Sequence, residues 1–266
     1  MNHSDPTKFA LFNNSDFRKA IFYAVDRNAI AKLIRKIAAP FNVSYLANLT
    51  DGTQYRSSAA AKALVEKYAP TSGGYDPKLA NEYLDKAYKT LGLTNFTVVL
   101  TYSETSANYR QASEYMQSDF VKIFGDKLKL ELQANTSLPA LMRTSVKKAN
   151  DSWELCWSGW SSSNETDYPC HTMSLYRSDY GSRYTNYKNS ELDAAYALYI
   201  TEEYRLDSAK RDSLVSMMEE ALYKDMSRVP VYQDSNYTIF SEKVVPALDR
   251  YVGQLYWGTA WGDLIQ

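Results

Sequence analysis

FTVVLTYSETSANYRQASEYMQSDFVKIFGDKLKLELQ, residues 96–133, changes its hydrophobic period twice. Phe96 to Tyr102 is a β-branched and aromatic run of strand length. Ala107 to Phe124 carries apolar residues at helical spacing, and Leu128 to Gln133 alternates apolar with polar side chains. The stretch predicts strand, helix, strand. Leu138 to Lys148 then reads as a short helix and Trp153 to Trp157 as a third strand, giving the order βαβαβ. Such a succession implies an α/β fold, a sheet with helices on both faces. It also places ligand sites in the crevice beyond the carboxyl ends of the strands, where loops converge.

The flanking sequence is helical. Asn14, Ser15 and Asp16 offer an N-cap, after which Phe17, Ala20, Ile21, Ala24 and Val25 recur on one face, with Phe17, Ile21 and Val25 expected in the core. Asp26 can cap a second run through Ile30, Leu33, Ile34 and Ile37. Ala59 to Tyr68 reads as a helix and Pro70 to Tyr75 as a loop. Asp76 followed by Pro77 is a strong helix start, because proline at the first helical position gives up no hydrogen bond, and the helix should run to Gly92. Beyond the sheet, Asn189 to Glu203 and Asp207 to Asp225 predict two further helices. Val229 to Tyr232 and Tyr237 to Phe240 predict short strands. The closing YVGQLYWGTAWGDL is aromatic and glycine-interrupted, with no obvious place in this core.

Composition excludes several classes. The chain has 266 residues, 45% hydrophobic and 23% charged, which is enough for one large domain or two modest ones. Thirty basic against 31 acidic residues supply no surplus for phosphate neutralisation, so a nucleic-acid partner is not expected. No apolar run is long enough for a membrane span, and Met1 to Phe12 has neither the basic region nor the apolar core of a signal peptide. Two cysteines, Cys156 and Cys170, and two histidines, His3 and His171, are too few and too poorly spaced for a zinc site; neither metal nor cofactor is expected. Twenty-three tyrosines and five tryptophans are numerous, and such side chains gather on ligand-holding surfaces.

Catalytic patterns are missing from the sequence. It contains no G-x-S-x-G elbow, no phosphate-binding loop and no dinucleotide fingerprint. Glu165 and Asp167 stand two apart in a polar loop, the wrong arrangement for an acid and base facing each other across a cleft. Cys170 and His171 are adjacent, and adjacent side chains point apart. An enzyme is not expected. The informative stretch is DSWELCWSGWSSSNETDYPC, residues 151–170, where an apolar strand ends in an aromatic pair and gives way to hydroxyls and carboxylates at the edge of the expected crevice.

Four segments in order resemble the oligopeptide-binding, family 5 (cluster C) solute-binding proteins of ABC transporters. LFNNSDFRKAIFYAVDRNAIAKLI, residues 11–34, is similar to that family's "R-x-A-[LI]-x-x-A-[IV]-D-R" helix pair. YDPKLANEYLDKAYKTLGL, residues 75–93, resembles its "D-P-x-x-A-x-x-L-L-x-x-A-G" helix. ELCWSGWSSSNETDYP, residues 154–169, resembles its strand and loop ending "G-W-x-x-D-Y-x-D-P", and residues 184–233 resemble its closing helices up to "P-L-Y". The resemblance implies a periplasmic-binding-protein type II-like lobe, with a mixed sheet flanked by helices. Two such lobes close on a peptide or similar solute, which is passed to a permease. It further implies a secreted or lipid-anchored protein, outside the cell or in the periplasm. By this resemblance residues 1–266 are one lobe, the second, with 247–266 returning toward the other.

The resemblance also points to a site. The family places an Asp shortly after "G-W", where its carboxylate holds the peptide α-ammonium. Here Gly159 and Trp160 match, but that position is Ser163, and Asp167 follows out of phase. Either an insertion hands the role to Asp167, or the amine site is gone. In the second case a neutral solute such as an oligosaccharide fits, with Trp157 and Trp160 stacking on sugar rings. Candidate ligand contacts are therefore Trp157, Trp160, Ser161, Ser162, Ser163 and Asp167. Tyr102 and Tyr109, flanking the turn after the first strand, and Arg183 complete the set. Trp153 and Trp157 share a strand with one face in the core, so at most one of them faces ligand. The aromatic surplus equally suits a protein-interaction module with a flat exposed patch.

Overall fold

Three strands in the spatial order β2-β1-β3 form the central sheet of the computed structural model. The structure describes residues 1, 10–35, 45, 49, 55–137, 153–157, 170–179 and 187–232, and the two-residue strands at 244–245 and 263–264. β1 (Phe96–Ser103) runs parallel to β2 (Leu128–Asn135), in a register from Phe96 opposite Leu128 to Ser103 opposite Asn135. β3 (Leu155–Cys156) is parallel to β1 on its other side, with Leu100 opposite Leu155. Where a mixed sheet is expected, the described strands of the central sheet are all parallel, and β4 (Val244–Val245) pairs antiparallel with β5 (Asp263–Leu264) in a separate sheet.

The helices follow from local chemistry. α1 (Ala10–Asn13) leads into α2 (Ser15–Ala24), where the Asn14 side chain accepts from Phe17 N–H at 3.1 Å. Phe17, Ile21 and Val25 are all buried, as their spacing predicts. α3 (Arg27–Arg35) starts at Asp26, whose carboxylate accepts from Ala29 N–H at 3.0 Å. α4 spans Ala59–Tyr68 and α5 Pro77–Leu91, the latter opened by Asp76 accepting from Leu79 N–H at 2.9 Å and closed by Gly92 at φ 67°. α6 (Ala107–Phe124) links β1 to β2 and packs on both. α7 is Cys170–Ser174, α8 Ser190–Tyr199, α9 Glu202–Arg205 and α10 Ser208–Asp225.

Three expectations are corrected. The single helix over Asn189–Glu203 is two, because the Thr201 hydroxyl turns back to the Leu198 carbonyl at 2.7 Å and its backbone is extended (ψ 154°). Val229 to Tyr232 is not a strand, since side chains take up carbonyls there: Arg27 Nε meets Pro230 O at 2.6 Å, and the Tyr45 hydroxyl meets Arg228 O at 2.8 Å. The strand over Trp153–Trp157 shortens to two residues, because the Glu154 carboxylate, in place of a backbone carbonyl, accepts from Val99 N–H at 2.6 Å. The helix expected over 138–148 and the strand over 237–240 lie outside the described residues.

Two arginines tie distant parts of the chain together. Arg27 is fully buried, its guanidinium 4.3 Å from the Phe22 ring centre, and donates to the carbonyls of Phe22, Val25, Gly73 and Pro230. Gly73 and Gly74 have φ of 64° and 70°, and a Cβ on Gly74 would come within 3.1 Å of the Phe22 ring and 3.2 Å of Arg27 Nη1. Only glycine lets that turn reach the guanidinium. Arg18 donates to Phe12 O at 3.1 Å and to the Asp225 carbonyl at 2.6 Å, and pairs with the Asp225 carboxylate. Asp225 also accepts from the Tyr187 hydroxyl at 2.5 Å, which receives Asn189 Nδ2 at 2.7 Å. Among the described residues no helix is long and apolar enough to cross a membrane.

Candidate functional site

The carboxyl ends of β1 and β3 meet the amino end of α6, and the turn between β1 and α6 is closely bonded. Glu104 N–H donates to Asn135 O at 3.0 Å and Ser106 N–H to Ser103 O at 3.1 Å; the Ser103 and Thr105 hydroxyls are 3.0 Å apart. Ser106 caps α6 by accepting from Tyr109 N–H at 3.4 Å. The turn thereby holds Tyr102 and Tyr109, both half-buried, at the mouth of the expected crevice.

Trp157 continues the β1–β3 ladder one residue past β3, its N–H donating to Thr101 O at 3.2 Å. That places its indole flat against Tyr109, ring centres 5.4 Å apart and planes 18° from parallel. The indole N–H donates to the Ser113 hydroxyl at 2.7 Å, and that hydroxyl donates to Tyr109 O, also at 2.7 Å. One buried serine thus ties the indole at the strand end to the backbone of the helix, and the Tyr109 ring stacks on that indole. Trp153 and Trp157 are 1% and 7% exposed, so neither is an open platform; Trp157 is covered on one side by the Tyr109 ring.

Replacing Ser113 with alanine leaves the indole N–H buried without its acceptor. The expected loss is about 2 kcal/mol of stability, read as a lowered urea midpoint with an unchanged slope. A shift corresponding to under about 0.5 kcal/mol rules out the pinning role.

The Cys156 thiol beside this wall is free, and burial pushes its pKa up to about 11, which keeps it protonated and unreactive. Among the described residues no cluster of three or more His, Cys, Asp or Glu side chains is arranged to hold a metal ion. The structure brings together Tyr109 and Trp157 and sets Tyr102 on the adjoining strand end. Trp160, Ser161, Ser162, Ser163, Asp167 and Arg183 lie outside the described residues. Ser113 and Glu154 are the residues that sequence reasoning misses. Ser113 sits within the apolar periodicity of α6, and a small hydroxyl on the inward face of a helix, four positions from an aromatic, is the signal that marks it.

With this geometry in view, the comparisons with known proteins decide the family. The pattern of the bacterial extracellular solute-binding proteins, family 5 Middle, matches residues 1–221. The chain belongs to this family. The family member OppA, an oligopeptide-binding protein of Bacillus subtilis, is 23% identical over 258 residues; the match takes in 94% of this chain and 42% of OppA, so the chain spans about two-fifths of that relative's length. Among solved structures, a peptide-binding protein of a peptide ABC transporter superposes with a TM-score of 0.71 at 22% identity, covering 88% of this chain and 96% of that one. Listeria monocytogenes OppA bound to peptide gives 0.64 at 21% identity, covering 84% of this chain and 40% of that one. These likenesses establish the fold as that of periplasmic-binding-protein type II solute receptors. Family 5 is a family of solute-binding proteins rather than of enzymes, and it is extracellular by description.

Proposed function

We propose that this chain is one lobe of a two-lobe receptor that closes on oligopeptides and delivers them to the permease of an ABC importer. The observation that carries the reading is the Trp157–Tyr109 wall, fixed by Ser113 at the carboxyl ends of parallel strands. A rigid aromatic wall beside polar loop ends suits a solute made of backbone amides and varied side chains, because it offers contact area without demanding one side chain. Family membership supplies the solute-binding class, and the relatives named for peptides supply the substrate class. The one-lobe reading of residues 1–266 is supported by coverage of 42% of OppA against 96% of the matched peptide-binding protein chain. Residues 247–266 then return toward the other lobe. In this reading Tyr102, Tyr109, Trp160, Ser161, Ser162, Ser163 and Arg183 line the cleft, Trp157 backs it, and Asp167 receives the peptide ammonium. The complete protein is secreted or lipid-anchored, at the outer membrane face or in the periplasm.

The test is calorimetric titration of the complete protein with a mixed peptide library, then with neutral oligosaccharides. The expected result is peptide heat that Asp167→Asn reduces at least tenfold in affinity, by loss of one charge-assisted contact, while Ser163→Ala leaves it unchanged. Heat with oligosaccharides and none with peptides overturns the substrate class. Peptide heat indifferent to Asp167→Asn overturns the ammonium role.

A further inference from the structure

Among the described residues β2 has no strand on its outer side, and that side carries a charge pattern that the cleft does not use. β2 is the outermost strand of the β2-β1-β3 sheet. Its odd-numbered residues turn their backbone groups toward β1, as Phe96 N–H to Lys127 O at 2.9 Å and Glu104 N–H to Asn135 O at 3.0 Å demonstrate. The N–H and C=O of one strand residue share a direction, so Leu128, Leu130 and Leu132 direct theirs outward. Gln117 Nε2, reaching from α6 to Leu130 O at 2.7 Å, marks that direction. Alongside runs a groove of 550 Å³ between α6 and β2 whose charged lining is Glu114, Asp126, Lys129 and Glu131; Lys129 Nζ lies 3.2 Å from the exposed Asp126 carboxylate. Val121 is 59% exposed in it.

We propose that this edge pairs with the same edge of a second copy of the chain, antiparallel, about a two-fold axis at Leu130. The occupant is chosen by charge. Lys129 and Glu131 are exposed on one face of β2, two residues apart and equidistant from Leu130. In this register Lys129 stands directly opposite the partner's Glu131, for which it exchanges its surface pair with Asp126, and Glu131 opposite the partner's Lys129. Both are non-hydrogen-bonded pairs, in which cross-strand side chains approach most closely. Leu130 exchanges both backbone bonds with the partner's Leu130, and Leu128 with the partner's Leu132. Gln117 is the placeholder on the Leu130 carbonyl, released when the partner's amide arrives. Charged residues on a sheet edge ordinarily repel foreign strands; an alternation centred on a two-fold axis repels those and accepts its own copy. The contact is isologous and closed, so it stops at two copies.

Sedimentation equilibrium on this chain over a concentration series tests the pairing. The expected result is a weak, reversible dimer, as befits a small interface. Lys129→Glu alone or Glu131→Lys alone sets like charges against each other at both crossings and weakens the dimer at least about tenfold. The double exchange, Lys129→Glu with Glu131→Lys, restores opposite pairs and returns the affinity to within about threefold of the parent. Circular dichroism spectra matching the parent assign the changes to association. A monomer at every concentration overturns the proposal, and so does a dimer indifferent to the single reversals or one the double exchange fails to restore.

Discussion

Raising the pH is expected to unfold this chain cooperatively at about pH 11, with tyrosine ionisation and loss of helix coinciding. Tyr23, Tyr45, Tyr55, Tyr88, Tyr187 and Tyr223 are each less than a tenth exposed. Burial is the largest cause that raises all six phenols above the ordinary value of 10.0, taking Tyr23 and Tyr88 to about 12. Carboxylates add to it, Asp225 beside Tyr187 and Glu219 beside Tyr55 and Tyr223. Below pH 10 folded and unfolded chains both hold these protons, and stability is unaffected. Above it the unfolded chain releases them while the folded chain cannot, so stability falls until the folded phenols themselves ionise. The slope is about 1.4 kcal/mol per pH unit for each phenol. Six together approach ~8 kcal/mol by pH 11, against a total of about 5–15 kcal/mol for a typical domain. Absorbance at the tyrosinate band and far-ultraviolet circular dichroism, followed together, decide the matter. Gradual ionisation centred at pH 10 with the helices intact to about pH 12 would refute it. Tyr223→Phe should move the midpoint upward and also stabilise the chain at neutral pH, since its buried hydroxyl has no hydrogen-bond partner among the described residues.

Arg27→Leu is expected to cost at least about 4 kcal/mol and to leave little folded protein. The guanidinium serves the carbonyls of Phe22, Val25, Gly73 and Pro230 at 2.6 to 3.2 Å, all of which lose their donor at once. Each buried acceptor left empty costs about 1–3 kcal/mol. Burial already strains the group, drawing its pKa down to about 10, but it stays charged at neutral pH. Arg27→Lys keeps the charge without the planar fork and should recover less than half of the loss, because one ammonium cannot face carbonyls from three segments. Denaturant midpoints of the three proteins measure this. A leucine variant within about 1 kcal/mol of the parent would show that the carbonyls find other donors.

The elements set by local chemistry are legible in the amino-acid sequence. α6 spans Ala107–Phe124, the bounds its periodicity predicts, and Asp76 with Pro77 opens α5 at the predicted residue. β1 and β2 extend only one or two residues past their predicted ends. Two of the three misreadings share a cause, which is a side chain replacing a backbone partner from far away in sequence; the third, at Thr201, is a local hydroxyl turning back to the Leu198 carbonyl. Glu154 stands in for a strand carbonyl at Val99, and Arg27 takes the Pro230 carbonyl across 203 residues. Period and propensity carry no trace of such bonds. The Asp26-Arg27 pair is visible as part of the family resemblance, yet local chemistry gives a task only to Asp26, that of a helix cap. In the candidate site, strand order places Tyr102 at the end of β1 and Tyr109 in the first turn of α6, and the structure has both half-buried there. Strand order does not reveal Ser113, because its partner Trp157 lies 44 residues on.

The bond from Arg18 to the Asp225 carbonyl spans 207 residues. A ribosome adding about 5–20 residues per second needs roughly 10–40 s to make that interval. Until Asp225 is made, Arg18 has only the Phe12 carbonyl of its partners, and Asp225 must leave the ribosome before the two ends can lock. Translation arrested before Asp225 should therefore yield a protease-sensitive product however complete its central sheet.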